Sequence, residues 1–370
     1  AAMAEAALTD VDDEAMAAVR EGLTQAEYRG REYRYLGSPV RGVERGTVAM
    51  DGTFVRGYPS TPRVLVLDPG VQRFFDGPLA VEEKLNGYNV RIAHVGEPLA
   101  FTRGGHVCPY TTQVARDQLP LEAFFADYPE TMLCAEFVGL ENPYTAHDVY
   151  DVDSLAPRVF DLRHRETGRP WPVEQRRSTL DEFDVPQPSF AGVFEPEEAV
   201  PAVRERIHEL DAQGREGVVM QSTDGRDLLK YTTAATHRSD LRMAFSLPFD
   251  YGQDFLFSRL LREAFQAVEF EERGQAPEAR AHGFGEATLE PMVQTIRAVE
   301  EGQSIGEDHT VRGSPEAITE LLAHFESQGL SIEIRSDRRE GDQRVVALRK
   351  VANQSRDKID HFLAGGTIDQ

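Results

Sequence analysis

The chain has 370 residues, a mass of 41.3 kDa and a formal net charge of −23 at pH 7. This length predicts two to four domains, while the two cysteines exclude a disulfide scaffold or a four-cysteine zinc site, and no apolar run is long enough to span a membrane. The acid is spread along the chain, which predicts adaptation to high salt, because about 1 M salt shortens the screening length to roughly 3 Å.

Residues 1–65 are predicted to form a small N-terminal α/β module. Residues 12–27 have the apolar spacing of a helix, and short strand-like runs alternate with turns from Tyr33 to Leu67. Asp68-Pro69-Gly70 is interpreted as the closing turn. The first residues are acidic and lack a basic flank, so we expect no secretory signal and a cytoplasmic, membrane-free setting.

Residues 66–235 are predicted to form an α+β domain with an antiparallel sheet. Strand-like segments occur at residues 132–140, 158–164, 216–222 and 227–233, and helical patterns occur at 172–183 and 197–213. Asn86-Gly87 lies between two more strand-like runs and predicts a hairpin.

The last third of the chain changes character. Residues 236–308 are predicted to be helical, and DFLFSRLLREAFQAVEF is more apolar than one buried stripe requires, so this helix either fills a core or contacts a second subunit. Residues 309–370 are predicted to form a small α/β unit whose first helix is capped by Ser314.

Lysine is rare in this chain. Only Lys84, Lys230, Lys350 and Lys358 occur, and the other 36 basic residues are arginines. A lysine amine becomes a nucleophile when its pKa is lowered, whereas an arginine stays protonated. Lys84 in the sequence KLNG is therefore a candidate nucleophile, although this tetrapeptide alone is more typical of an exposed hairpin.

Five further short clusters could carry chemistry. Arg103 in TRGG could bind phosphate, Glu136 could bind a ribose or a metal, Phe160 could stack on a base, Glu216 could bind Mg²⁺, and Lys230 could neutralise a phosphate. Each cluster alone also has an ordinary structural interpretation as a solvated turn, a strand edge or core packing. Together they predict attack by a lysine amine on the α-phosphorus of a nucleotide.

The clusters, in this order, resemble the covalent nucleotidyltransferase superfamily of ATP-dependent DNA and RNA ligases and mRNA capping enzymes. KLNGYNVR, TRGG, EFVGLENPY, REGVVM and LLKYTT are most similar to the homodimeric archaeal ATP-dependent RNA ligases. The resemblance implies an antiparallel, ATP-grasp-like ligase domain followed by a C-terminal helical dimerisation region. It also implies ATP, covalently bound AMP, Mg²⁺ or Mn²⁺, and RNA with 5′-phosphate and 3′-hydroxyl ends.

The resemblance assigns a role to each position. Lys84 would carry AMP, with Glu216 and Lys230 as further catalytic residues, and Glu136 and Glu216 would hold the metal. The expected cofactor-binding residues are Glu83, Leu85, Asn89, Arg103, Glu136, Phe160, Val218 and Lys230. Asn86 stands where many relatives have Asp, and Gln221 where many have Lys. The basic segment at residues 158–177, with Trp171, is a candidate RNA footing.

Other functions remain open at the level of sequence. A reactive lysine beside glutamates is also compatible with a Schiff-base lyase or aldolase. Within the superfamily, a DNA ligase or a GTP-using capping-type enzyme is an alternative, as is a non-catalytic dimer that binds AMP and RNA.

Overall fold

The first part of the chain folds as a helix followed by a four-stranded antiparallel meander. The computed structural model describes residues 13–145, 147–271 and 276–368. Its first elements are α1 (Asp13–Gly22), β1 (Leu23–Tyr28), β2 (Arg31–Leu36), β3 (Val48–Met50) and β4 (Thr53–Val55). The helix predicted over residues 12–27 is therefore too long, because residues 23–28 pair with β2, and residue 12 lies outside the described residues.

Two four-stranded antiparallel sheets form the middle of the molecule, which confirms the predicted α+β, antiparallel class. Their elements are α2 (Leu67–Phe74), β5 (Leu79–Lys84), β6 (Tyr88–Val95), β7 (Glu97–Thr102), α3 (Pro109–Gln118), α4 (Leu121–Asp127), β8 (Thr131–Val138), β9 (Ala156–His164), α5 (Val173–Glu182), β10 (Phe190–Phe194), α6 (Pro196–Ala212), β11 (Gly217–Ser222) and β12 (Leu228–Thr232). One sheet has the order β10-β5-β11-β12 and the other β7-β6-β8-β9.

Two local predictions in this region are wrong. Asp68-Pro69-Gly70 does not close a module but lies in the first turn of α2, where proline is well tolerated. Asn86-Gly87 does not form a hairpin, because β5 and β6 belong to different sheets. Gly87 is required by close packing instead: a Cβ there would lie 2.1 Å from the carbonyl oxygen of Phe137.

The sheet that contains β5 has one apolar face and one polar face. Val81, Val218, Met220 and Tyr231 pack against helices α2 and α6 in a continuous core. Since side chains alternate along a strand, the intervening residues face the other sheet. A polar cleft therefore lies between the two sheets.

The last third comprises three helices and a small unit that closes back on the middle of the chain. Its elements are α7 (Ala234–Ser246), α8 (Gln253–Glu269), α9 (Ala276–Glu300), β13 (Gly306–Gly313), α10 (Pro315–Ser327), β14 (Ile332–Glu340), β15 (Gln343–Val351) and α11 (Asn353–Leu363). Ser314 caps α10 by accepting a hydrogen bond from Ala317, as predicted. Ile318, Leu321 and Phe325 of α10 share one core with β6 and β8.

The C-terminal unit holds the loop that follows β8. Three consecutive loop residues are bound: Glu141 by Arg312 at 2.9 Å, the Asn142 carbonyl by His309 at 3.0 Å, and the Pro143 carbonyl by Lys350 at 2.7 Å. The Lys350 amine also lies over the rings of Tyr144 and Phe325. This loop is therefore fixed from outside the sheet to which it belongs.

None of the helices in the described ranges is both long and apolar enough to cross a bilayer.

Candidate functional site

The polar cleft is lined by alternate residues of three neighbouring strands. Glu82 and Lys84 of β5 lie on the same face, Glu82 is paired with Val219 of β11, and Val219 is paired with Lys230 of β12. Leu85, at the end of β5, lines the same cleft and is 8% exposed. The strand register thus brings Lys84 and Lys230 together, although they are far apart in sequence.

Lys84 ends β5 and contacts a carboxylate. Its Nζ lies 2.7 Å from Glu216 Oε2, and the two side chains are 23% and 14% exposed. Gly217, the residue after Glu216, is paired with Lys84 in the sheet, which explains why the two side chains meet. The amine has a hydrogen-bond acceptor and remains open to the cleft.

Glu136 approaches the cleft from the other sheet. Burial raises its pKa to about 7, an effect opposed by Lys84 and increased by Glu216. The Gly87 amide donates to Glu136 Oε1 at 3.2 Å. Neighbouring Asn89, paired with Glu136 in the sheet, has a buried Oδ1 without a hydrogen-bond partner. Two side-chain oxygens that could coordinate a cation therefore lie side by side.

Two cations face the cleft without a carboxylate partner. Burial lowers the pKa of Lys230 to about 8, and the nearby positive charges of Arg63 and Lys84 act in the same direction. Arg103 follows β7 and is exposed. In a chain with so much acid, and within the described residues, neither side chain forms a hydrogen bond or ion pair. Both are therefore available to an anion.

Phe160 forms part of the cleft wall. A shift of register places it between the pairs Ala135–Val159 and Cys134–Asp161. Its ring meets Tyr58 edge to face with centroids 5.2 Å apart, and its carbonyl accepts a hydrogen bond from Arg176. The bulge turns an aromatic ring toward the cleft, as a base-stacking residue requires.

Two of the predicted cofactor-binding side chains point elsewhere. Val218 is fully buried in the core beneath the sheet, and its neighbour Val219 lines the cleft instead. The Glu83 carboxylate accepts hydrogen bonds from Ser189 and Arg215, on the side away from Lys84. Strand alternation explains both directions, because residues 218 and 83 are one position out of phase with the cleft face. Glu83 still borders the cleft, and cofactor binding by both residues stays a prediction.

The two departures from the family pattern are accommodated by neighbours. The carboxylate that pairs with Lys84 comes from Glu216, so Asn86 leaves no missing partner. The Asn86 amide donates to the Tyr150 hydroxyl at 2.6 Å. Gln221 lines the cleft and donates to the Gly225 carbonyl at 3.1 Å.

Several arginines of the basic segment at residues 158–177 are paired with acidic side chains. Arg163 pairs with Asp161 at 2.6 Å, and Arg176 and Arg177 both bind Glu82. Trp171 packs edge to face against Tyr128. These side chains serve the interior, whereas Arg169 is exposed, and the role of the segment as an RNA footing stays a prediction.

Sequence reasoning missed several residues of the site. Tyr58 and Thr61 line the cleft from the segment between β4 and α2, and Arg63 forms a bridge to Lys230 through its backbone. None of them belongs to a recognisable motif. Of the three, only Arg63 has a feature that could have indicated a site in the sequence, namely an isolated charge next to a proline.

The arrangement suits the transfer of a phosphoryl group that carries a nucleoside. It combines an amine beside a carboxylate, a second carboxylate with an unpartnered amide oxygen, an aromatic wall and two unpartnered cations. Within the described ranges, no three acidic, histidine or cysteine side chains cluster as a metal centre. Mg²⁺ is commonly held by one or two carboxylates together with substrate phosphates, which fits Glu136, Glu216 and Asn89.

Comparisons with known proteins agree with this geometry. The family model described as RNA ligase matches residues 77–232, and that described as Ligase Pab1020 C-terminal region matches residues 243–366. A solved structure described as archaeal ATP-dependent RNA ligase, form 1, is 39% identical with a TM-score of 0.89 and covers 95% of each chain. An uncharacterized protein of Methanocaldococcus jannaschii is 38% identical over 94% of this chain and 91% of its own. A putative ATP-dependent DNA ligase from Aquifex aeolicus is 25% identical with a TM-score of 0.88, covering 96% of this chain and 98% of its own.

Proposed function

Since the chain belongs to the archaeal ATP-dependent RNA ligase family, we propose that it joins RNA 5′-phosphate and 3′-hydroxyl ends through an AMP adduct on Lys84. The observation that carries this assignment is the 2.7 Å contact between Lys84 Nζ and Glu216, set in a cleft with unpartnered cations. The 39% identity with an RNA ligase, against 25% with a putative DNA ligase, favours RNA over DNA as substrate.

In the first step Lys84 Nζ attacks the α-phosphorus of ATP. The P–N bond forms, the bond to the bridging oxygen of the β-phosphate breaks, and pyrophosphate leaves with the electron pair. The amine must be neutral to attack, and Glu216 is the acceptor in contact with it. Lys230 and Arg103 neutralise the charge that develops on the phosphoryl oxygens.

A divalent cation fits beside these residues. Glu136, Glu216 and the unpartnered Oδ1 of Asn89 provide the oxygen ligands that Mg²⁺ or Mn²⁺ prefers. When bound, the ion would neutralise phosphate charge and favour the unprotonated amine. Glu136 also accepts a hydrogen bond from the ribose in this proposal, and Phe160 contacts the base.

Two further transfers complete the reaction. An oxygen of the RNA 5′-phosphate attacks the adenylate phosphorus, the P–N bond breaks, and Lys84 recovers its proton. The 3′-hydroxyl of the second end then attacks the activated 5′-phosphorus, forms the phosphodiester and releases AMP. Lys84 is thus regenerated once per cycle.

Labelling with α-³²P-ATP and a divalent metal tests this function directly. We expect an acid-labile label on Lys84, lost in Lys84→Met and retained in Lys358→Arg, since Lys358 lies on α11 over Phe249. Peptide mapping is simple because the chain has four lysines. Label on another side chain, or none on the wild type, would refute the mechanism. Joining of RNA, but not of matched DNA ends, tests the substrate.

A second copy of the chain is the proposed partner of α8. This helix buries polar Glu263 and Gln266 and exposes apolar residues, an inversion of the usual pattern. The exposed apolar residues on it are Phe257, Leu260, Leu261, Phe265 and Val268, and Leu289 on α9 is also exposed. A two-fold contact between such faces would remove them from water.

The oligomeric state in solution tests this partner. Val268 is 79% exposed, so Val268→Asp should not disturb the fold but should dissociate a dimer seen by light scattering. Val193→Asp is the matched control, since Val193 is 51% exposed on β10. A wild-type monomer would contradict the proposal.

We also propose a division of the chain into four regions. Residues 1–65 form the N-terminal module and residues 66–235 the adenylylation domain. Residues 236–308 form the dimerisation region and residues 309–370 the C-terminal unit.

A further inference from the structure

A pair of arginines extends the cationic lining of the cleft beyond the position of the α-phosphate. Arg63 is bridged to Lys230 through the backbone, and its guanidinium donates to the hydroxyl of Thr232, on the same face of β12. Arg63 therefore continues the row of Lys84 and Lys230 toward helices α7 and α8.

Arg262 of α8 meets this row from the helical side. Arg63 and Arg262 line one small pocket together with Thr232, His237 and Gln266. The uncharged polar side chains of this pocket already form hydrogen bonds within it. His237 contacts the Thr232 hydroxyl at 2.7 Å, and Gln266 donates to the Thr232 carbonyl at 3.1 Å. The two guanidinium groups are the charged members of the pocket lining.

Arg262 forms no ion pair or side-chain hydrogen bond within the part of the chain that the structure describes. Its neighbour Arg259 is paired with Asp240 at 2.8 Å, and Arg63 forms a hydrogen bond only with a hydroxyl. Burial, together with the charges of Arg63 and Arg259, lowers the pKa of Arg262 to about 10, although the carboxylates of Asp240 and Glu216 oppose the shift. Holding half-buried cations together costs free energy, which an anion between them would offset.

We propose that Arg63 and Arg262 form a second phosphate subsite, which binds phosphoryl oxygens beyond the group that reacts with Lys84. The inference deepens the proposed function and rests on it. Bidentate binding by arginine suits phosphate, and a focused pair is what a strongly acidic chain needs to hold a polyanion. The β- and γ-phosphates of ATP and the phosphates of RNA share this chemistry.

Single-turnover assays of matched variants distinguish the phosphates of ATP from those of RNA. Arg63→Gln and Arg262→Gln remove one guanidinium each, and Arg242→Gln removes an exposed one from α7 as a control. One arm measures Lys84 adenylylation against ATP concentration, and its reversal by pyrophosphate. The other arm supplies pre-adenylylated RNA, which bypasses ATP. Thermal unfolding of each variant checks that the fold is retained.

A loss of about 10- to 100-fold is expected for removing one charge-assisted hydrogen bond. Loss in the ATP and pyrophosphate arm assigns the subsite to the β- and γ-phosphates, and loss with pre-adenylylated RNA assigns it to RNA phosphates. Arg262→Lys should recover part of the activity. If both glutamine variants stay within about twofold of Arg242→Gln in both arms, the subsite is refuted. Failure of the wild type to label Lys84 would instead refute the proposed function.

Discussion

Two lysines in different regions of the molecule have similarly lowered pKa values but different surroundings. Burial lowers the pKa of both Lys230, in the cleft, and Lys350, in the C-terminal unit, to about 8. Lys350 donates to the Pro143 carbonyl and lies over two aromatic rings. The Lys230 side chain has neither a hydrogen bond nor an ion pair within the described ranges. A lowered pKa marks burial in both regions, and the missing partner separates the binding site from the scaffold.

The difference extends to the arginines of the two regions. In the C-terminal unit Arg312 binds Glu141 and Glu340, and Arg349 binds Asp308. Among the residues that the structure describes, Arg103 in the cleft pairs with no carboxylate, and neither does Arg262 at its edge. Because the chain has a net charge of −23, an acidic side chain is within reach of a cation at most positions. We therefore propose that cations kept away from acid mark where a foreign anion binds.

Exchanging each lysine for methionine should give the largest contrast. We expect Lys230→Met to slow Lys84 adenylylation by about 100-fold or more, because transition-state charge loses its partner. Lys350→Met should leave adenylylation within a fewfold of the wild type but lower the midpoint of thermal unfolding, since the Pro143 carbonyl loses its donor. Single-turnover labelling and thermal unfolding of both variants measure this contrast. Equal kinetic losses in the two variants would erase the distinction between the regions.

The pH dependence of AMP binding tests the charges of the cleft. The pKa of Glu136 is raised to about 7, so the carboxylate gains a proton and loses its charge below pH 7. The pKa of Lys230 is lowered to about 8, so the ammonium loses its proton above pH 8. Affinity should therefore be highest between pH 7 and 8 and should fall by up to about tenfold per unit on the alkaline side.

Titration calorimetry of the wild type and Lys230→Arg separates these groups. Arginine stays protonated throughout this range, so the alkaline decline should disappear while the acidic decline remains. An alkaline decline that persists in Lys230→Arg would show that another group titrates.

Matched arginine variants should give a smaller contrast. Arg103→Gln should weaken AMP binding by about tenfold without changing stability, because Arg103 is exposed and its side chain has no partner among the described residues. Arg349→Gln breaks a bidentate pair with Asp308 and should cost up to about 1 kcal/mol of stability with no change in affinity. Calorimetry and denaturant unfolding give the two readouts. A stability loss for Arg103→Gln would mean that it has a structural partner.

Salt should have the smallest effect and should act on both regions. We propose that the chain is adapted to high salt, since its acid is spread over the whole sequence. Screening of self-repulsion should then raise the unfolding midpoint in 2 M KCl by at least about 1 °C, equivalent to roughly 1 kcal/mol for a chain of this length. The midpoint measured from 0.1 to 2 M KCl is the test, and a maximum at the lowest salt would contradict it.

The sequence alone was sufficient for the class of fold and for the strands that carry the site. The apolar runs around Glu136, Glu216 and Lys230 became β8, β11 and β12, as their period predicts. The hairpin at Asn86-Gly87 was predicted wrongly because a turn dipeptide does not say which sheet the next strand joins. That choice is made by tertiary packing, here by the close contact of Gly87 with Phe137.

Side-chain direction and pairing were the parts that the sequence could not provide. Val218 and Val219 are indistinguishable by type, and only strand register decides which one meets the cleft. The sequence also does not show that Arg176 and Arg177 of the basic segment pair with Glu82 of β5. Arg63 and Arg262 are separated by almost two hundred residues, so no local pattern could join them.

The grip of the C-terminal unit on residues 141–143 has a consequence for synthesis of the protein. A ribosome delivers Glu141 and Pro143 long before Arg312 and Lys350, which bind them. During translation the segment after β8 therefore lacks these contacts until the C-terminal unit has been synthesised. The core shared with α10 is also incomplete until that point. Nascent chains should therefore gain nucleotide affinity late, when the end of β15 has left the exit tunnel.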